Sequence, residues 1–481
     1  MAIISRDLFS NLSNSFYEVL NSTLKEFMLP APRVGSTYDF LSFMETISIE
    51  SENFVRILIV AMLEKADLDF RTMPGRCERY YVKQTRSRTI ITMYGEITYV
   101  RTEYVDRFTN SPYIYIDSKL GLKPKERFAP DVKARIYTMY SDCKSMIEVG
   151  KNIGDIIVAK YHNGNPLDYA IPRQTIQNIL KGIKEVRILS DTKKNVETLN
   201  ILMDEKYIPA QFNKDPIADE NKSMMTKACL IFEDYIKADN SDTKRNKYDK
   251  CVYYSSYHKD FAGELIDYLD SKYELSELKT INFMSDGANW INEVAKQLKF
   301  PDTKLNKGLC PFHAGQALDR ITRDEGIYDK AYDYLIHKDI KNFDKLIETL
   351  IENEPSKKDK INKNAEYLKR HIDEIITQKK VIKIPCAMEQ VISHHIASQF
   401  TCVPKAYSPN NINYYMANRD AYKNGYNMKL IYAKARDLNK NKEEVIKINK
   451  SELDLSHFDN QYKLPYYELK VNGGSQRFVL F

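Results

Sequence analysis

Three carboxylates stand where short apolar elements stop or turn. Glu389 lies within "PCAMEQVISHHIASQF", where Pro385 suits a first helical turn and apolar or small residues recur at helical spacing through Ile392, Ile396 and Phe400. That spacing puts Glu389 on one face with Ile392, Ser393 and Ile396, and a carboxylate on an apolar face needs a partner because burying a bare charge costs several kcal/mol. A structural Lys, Arg, His394 or His395 is one such partner, and a metal ion is another. Asp286 follows the apolar run in "LKTINFMSDGANWINEVAKQL", where a strand stops, turns at Gly287 and opens a helix. Asp234 closes "TKACLIFEDYI", a second apolar strand. Asp239 and Asp242 follow it closely in a polar loop that cannot hold them as rigidly.

Acids at the ends of adjacent strands converge in space although distant in sequence. Asp234, Asp286 and Glu389 together have the arrangement expected of a ribonuclease-H-like nucleotidyltransferase, in which three carboxylates hold two divalent ions, Mg²⁺ or Mn²⁺. Hard cations take oxygen ligands, and a pair of them can activate a water or a 3′-hydroxyl while stabilising the leaving oxygen. The chain carries 66 acidic residues, so spacing alone does not single out three.

The elements around these acids predict a multidomain α/β chain. Residues 1–85 read as helices, best seen in "NFVRILIVAMLEKADLDF". From residue 86 the period changes: "RSRTIITMYGEITYVRTEYVD" reads as a β-hairpin broken at Gly95-Glu96, with "YIYIDSKL" as a further strand. Arg86, Arg88 and Arg101 decorate this ribbon and either track a phosphate backbone or face water. Residues 127–187 read as three helices. In the last, "IPRQTIQNILKGIKE", Ile176, Ile179, Leu180 and Ile183 form a core stripe, and Arg173, Gln174, Gln177, Asn178, Lys181 and Lys184 face away from it. Arg suits guanine edges, Gln and Asn suit adenine edges and Lys suits phosphates, which fits a recognition helix in a helix-turn-helix. Any amphipathic surface helix also has a polar face. Polar residues 191–226 read as a linker, residues 227–437 as the α/β domain, and 438–481 as a C-terminal tail.

Of 481 residues, 43% are hydrophobic and 29% charged, which predicts a folded chain with room for more than one core. Seven scattered cysteines argue against a disulfide framework and for a reducing cytoplasm. The most apolar run, "FVRILIVAML", is only about half the ~20 residues a membrane helix needs. A net charge of +6 permits a nucleic-acid partner without demanding one.

From about residue 75 to 425 the chain resembles the ISLre-type insertion-sequence transposases of bacteria, a group with a DDE catalytic triad. The matching stretches are "MYGEITYVRTEYVD", "LGLKPKERFAPDVKARI", "IPRQTIQNIL", "KYELSELKTINFMSDGANWI", "CPFHAGQ" and "CAMEQVISHHIASQFTCVPKAYS". The resemblance implies Asp286 and Glu389 as the second and third catalytic carboxylates, with Asp234 as the best candidate for the first. It implies a Lys-rich helical insertion at about 314–384 and places His313 beside the pocket, in contact with the scissile phosphate. Cys310 and His313 in "CPFH" also have zinc-like spacing, but no second pair matches them. Relatives of that type carry Asp where Cys310 stands. Their "EGHVSH" is here "EQVISH", with Gln390 and Val391 substituted, and Gln399 and Tyr407 replace an arginine and a tryptophan.

The resulting expectation is a ribonuclease-H-like domain with a helical insertion, preceded by a helical and β-ribbon DNA-binding region. The chain would bind double-stranded DNA at its element's terminal inverted repeats, as a homodimer or higher oligomer at the bacterial nucleoid, and cut and rejoin it with two Mg²⁺ or Mn²⁺ ions. A domesticated DNA-binding protein that keeps the fold without the chemistry is the rival.

Overall fold

Alternating polar and apolar residues make the first sheet. Strands β1 (Tyr80–Thr92) and β2 (Gly95–Asp106) pair antiparallel around a turn at Met93 and Tyr94, and the short β3 (Pro112–Tyr113) extends the sheet beside β2. Gly95 opens β2 at φ 103°, a conformation that side chains resist. Ile90, Ile97 and Tyr99 face inward, and Ile59, Val60, Leu63 and Ala66 of the long helix Thr37–Thr72 pack on them. Asp67 of that helix accepts the Thr102 N–H and hydroxyl, fixing its position along β2. The stretch read as one further strand is β3 followed by the helix Tyr115–Lys119.

The computed structural model describes residues 37–143, 145–157, 170–211, 223–236, 247–402, 406–438 and 445–453, with two short strands beyond and a few helical positions before residue 37. The chain divides into two units, Met1–Ile183 and Lys184–Phe481. Among its described residues the first ends with the helices Pro130–Tyr140, Met146–Ile157 and Arg173–Lys181, which pack on one another. Gly150 lets the second approach the start of the third: a Cβ there would stand 2.2 Å from the carbonyl oxygen of Ile171, two residues before Arg173.

The second unit is built on a five-stranded sheet in the order β11-β10-β5-β6-β9. Its strands are β5 (Thr198–Pro209), β6 (Ser223–Phe232), β9 (Val252–Ser256), β10 (Thr280–Ser285) and β11 (Lys304–Leu309). β5, β6 and β9 run antiparallel in sequence, whereas β10 adds parallel to β5 and β11 parallel to β10. Within the stretch 191–226 that reads as a linker, Thr198–Pro209 is instead the central strand β5, and Ser223 opens β6. Residues 199–204 are buried throughout, as expected of a strand covered on both faces. Helices Phe261–Lys272 and Asn289–Gln297 cover one face through Leu265, Leu269, Ile291 and Val294. Asn200, Asn282 and Asn306 form a side-chain ladder across β5, β10 and β11, with bonds of 2.9 and 3.0 Å. A one-residue slip would break this buried ladder, so it fixes the register of the three strands.

After β11 the chain forms five helices, Pro311–Ile321, Glu325–Ile336, Ile340–Asn353, Lys358–Arg370 and Ile372–Thr377, with a core of their own around Leu318, Leu335, Phe343 and Leu368. Part of the C-terminal tail belongs to the sheet region: β12 (Val445–Asn449) pairs parallel with β4 (Glu185–Leu189). No helix among the described residues is long and apolar enough to cross a membrane.

Candidate metal centre

The parallel strands end together. Met284 of β10 stands opposite Leu202 of β5, so continuing that register by two residues sets Asp286 level with Asp204. Ser285 stands opposite Leu309, which sets Cys310 level with Asp286, and the Cys310 N–H donates to the Ser285 carbonyl at 2.7 Å. Cys310 then caps the helix Pro311–Ile321, whose first turn carries His313. The helical segment Met388–Val391 packs on β5 and β6 and brings Glu389.

Among the described residues, two groups of possible ligands result. Atoms of Asp204, His313 and Glu389 lie within 4.8 Å of one another, and so do atoms of Asp204, Glu205 and Asp286. Asp204 is common to both. Burial pushes its carboxyl up to about 7, with Asp286 and Glu205 adding to the rise and the Glu205 N–H and His313 opposing it. Burial also raises Glu205, although Trp290 Nε1–H donates to it at 2.6 Å. The neighbouring Cys310 thiol raises His313. Cys310 itself falls to about 5, chiefly through Cys386 and then His313, and Cys386 is correspondingly pushed up.

Sequence reasoning placed Asp286, Glu389 and His313 here but put Asp234 where the structure has Asp204. In the β5–β6 ladder Asp204 faces Ala228. β6 runs four residues past Ala228 to end at Phe232, about 13 Å along the strand, and Asp234 lies beyond that end. It opens β7 (Asp234–Ile236) opposite Asp249 of β8 (Lys247–Asp249), exposed, and accepts its neighbour Tyr235's N–H at 2.7 Å. Asp239 and Asp242 lie outside the described residues. The signal for Asp204 was present in "LNILMDEKYIP", an apolar run stopped by acids like those at "IFED" and "FMSD".

Glu389 differs in setting from the sequence expectation. Its helix passes through a π-helical stretch, Ile392–Ala397, before ending as Ser398–Phe400. Met388, Val391, Ile392, His395, Ile396 and Phe400 are buried, whereas Glu389 and Ser393 flank that stripe and are exposed. Glu389 therefore borders the core and faces the strand ends. His395 is taken by Asp420 at 2.7 Å.

The helices after β11 hold the Asp286 loop. Tyr367 donates its hydroxyl to the Asp286 carbonyl at 2.7 Å, and the buried His371 ring lies under Gly287. Gly287 has φ +86°, and a Cβ there would stand 2.5 Å from His371 Cε1. Gly287→Ala adds left-handed strain to a clash with the buried His371 ring, and is expected to cost about 1–3 kcal/mol in denaturant titration. An unchanged midpoint would mean the loop has another conformation.

The arginines of the hairpin divide. Arg86 is exposed and lies 3.9 Å from Glu103. Arg88 and Arg101 do not face water, since both turn inward to Asp117 of the helix Tyr115–Lys119. On the helix Arg173–Lys181, Arg173, Gln174, Asn178 and Lys181 are exposed and Gln177 is half-buried, with Gln174 donating to Asn178 at 2.9 Å. That helix stops at Gly182, so Lys184 is not on its face and belongs to the second unit.

Fold and site thus define a multidomain α/β protein with a carboxylate-rich centre at the ends of parallel strands. Residues 37–436 match the Uncharacterised protein family (UPF0236), and the chain belongs to that family. Similar proteins include three UPF0236 proteins of Caldanaerobacter subterraneus subsp. tengcongensis. One is 23% identical over 393 residues, covering 80% of this chain and 78% of the relative, and its name joins eleven loci. A second, named for four loci, is 23% identical and covers 79% and 77%. A third is 22% identical over 80% and 79%.

Proposed function

We propose that this chain is a DDE transposase of the ISLre type, which binds the ends of its own DNA element and cuts and rejoins them with divalent metal ions. The observation that carries the reading is the Asp204 carboxylate common to two ligand groups. Two ions sharing one carboxylate are the usual equipment for phosphodiester chemistry that uses no side-chain nucleophile. The strand order, antiparallel β5-β6-β9 with β10 and β11 added parallel, supports a ribonuclease-H-like catalytic domain. Names joining eleven and four loci of one genome also favour a sequence that multiplies.

The donor set fits Mg²⁺ or Mn²⁺: oxygens dominate, and burial beside two further carboxylates pushes Asp204 up to about 7, a cost that a bound cation would offset. Asp204, Asp286 and Glu389 would hold the ions, with Glu205 and His313 beside them. When bound, the ions would activate a water or a 3′-hydroxyl and stabilise the leaving oxygen. Gly287 turns the chain after Asp286, Tyr367 fixes the Asp286 backbone, and Trp290 orients Glu205. The test is incubation with duplexes carrying the DNA that flanks this gene. Nicking or joining in Mg²⁺ or Mn²⁺ is the expected result, and the same products in excess EDTA would overturn the reading.

The three-helix end of the first unit supports a helix-turn-helix with Arg173–Lys181 as its recognition helix. Ile176 and Leu180 fill the buried side, so the outer residues can change with little harm to the fold. Arg173→Ala or Asn178→Ala is expected to cost about 1–3 kcal/mol against the terminal duplex and to relax one position of specificity. Lys181→Ala should weaken all sequences alike and flatten the salt dependence. Titration against terminal and scrambled duplexes at two salt concentrations separates these effects. If no variant changes the preference, recognition lies elsewhere.

A further inference from the structure

The two ligand groups are chemically unequal. Asp204, Glu205 and Asp286 offer oxygen only, whereas Asp204, Glu389 and His313 include an imidazole. His313 is placed by the same strand ends that place Asp286, because the residue that caps its helix, Cys310, donates its N–H to Ser285. Its Nδ1 is buried and has no hydrogen-bond partner among the described residues. Three donor atoms within 4.8 Å of one another are close enough for small side-chain shifts to bring all three onto one ion, whose ligands at bonds of about 2.0–2.2 Å stand no more than about 4.4 Å apart. The Cys310 thiol beside the ring is a ready orienting group, as metal-bound imidazoles commonly have.

We propose that His313 is a direct nitrogen ligand, so that the Asp204–His313–Glu389 position selects Mn²⁺ over Mg²⁺ while the Asp204–Glu205–Asp286 position does not. Imidazole favours borderline transition-metal ions, whereas Mg²⁺ keeps to oxygen. This rests on reading the cluster as a metal centre, but it departs from the expectation that His313 touches phosphate. The two roles differ without DNA: a phosphate contact has no effect on metal binding to the free protein.

The test uses the full chain without DNA, titrated with Mn²⁺ and Mg²⁺ by calorimetry and examined by pulsed paramagnetic resonance with Mn²⁺ bound. The wild-type protein is expected to show nitrogen coupling to Mn²⁺. His313→Ala should lose it and bind Mn²⁺ at least about tenfold more weakly, with little change for Mg²⁺. His313→Asp should keep two ions bound but lose the Mn²⁺ preference, which guards against a variant that merely misfolds. His371→Gln, which changes the other imidazole near the Asp286 loop, should keep the coupling. Coupling that survives in His313→Ala, a preference unchanged in His313→Asp, or a wild-type protein that binds no Mn²⁺ would overturn the proposal. A chain that binds Mn²⁺ through nitrogen yet never cuts DNA would leave it standing and sink the transposase reading. A chain that cuts DNA but shows no coupling would do the reverse.

Discussion

Asp204→Asn is expected to abolish metal-dependent DNA cutting, whereas Asp234→Asn should leave it close to wild type. Asp204 is 8% exposed, sits on the central strand and belongs to both ligand groups, so its loss removes a charge from each ion position. A catalytic ion contributes several kcal/mol of transition-state stabilisation, so the rate should fall on the order of a thousandfold or more. Asn is nearly isosteric, and burial already disfavours ionised Asp204, so stability should hold or improve without metal. Asp234 is exposed at the edge of a two-stranded ribbon and touches neither group. Cleavage of a labelled terminal duplex in Mn²⁺, with circular dichroism to confirm folding, gives the comparison. An active Asp204→Asn with a dead Asp234→Asn would restore the assignment read from sequence.

Arg88→Ala should unfold the first unit rather than weaken DNA binding selectively. The guanidinium is 6% exposed and donates to Asp117 at 2.5 Å and to the Lys123 and Glu126 carbonyls at 2.9 and 3.1 Å. Tyr99 donates to the same Asp117 carboxylate at 3.5 Å. Asp117 keeps Arg101, but the Lys123 and Glu126 carbonyls lose their donor in a desolvated site, and breaking such a buried charge network typically costs about 3–5 kcal/mol. Arg86→Ala removes only an exposed pair with Glu103, worth about 0–1 kcal/mol. Denaturant melts of the two variants should therefore differ sharply. A stable Arg88→Ala with weakened binding to every duplex would return the ribbon to the DNA interface.

Those two arginines show where sequence reading stopped. The hairpin itself was legible from its Thr, Ile, Val and Tyr alternation and from Gly95 at the turn. The fate of Arg88 and Arg101 was not, because their partner Asp117 lies on a short helix inside a stretch that reads as a strand. Asp286 was legible because an apolar strand stops just before it and glycine follows. Asp204 was hidden for the opposite reason: β5 is covered on both faces and so lacks alternation, and polar segments on either side made the region look like a linker. Glu389 was found, but its environment was misjudged by one helical position, since it borders the buried stripe instead of lying on it. Glu205 and the shared role of Asp204 required the register between β5 and β10, which the Asn200–Asn282–Asn306 ladder sets and no local pattern reveals.

The account stands on Asp204 as the carboxylate common to two bound ions. Anomalous diffraction from crystals of the full chain grown with Mn²⁺ tests this directly. Two peaks are expected, one among Asp204, His313 and Glu389 and the other among Asp204, Glu205 and Asp286. Peaks at Asp234, or none at Asp204 when the crystal holds saturating Mn²⁺, would contradict it.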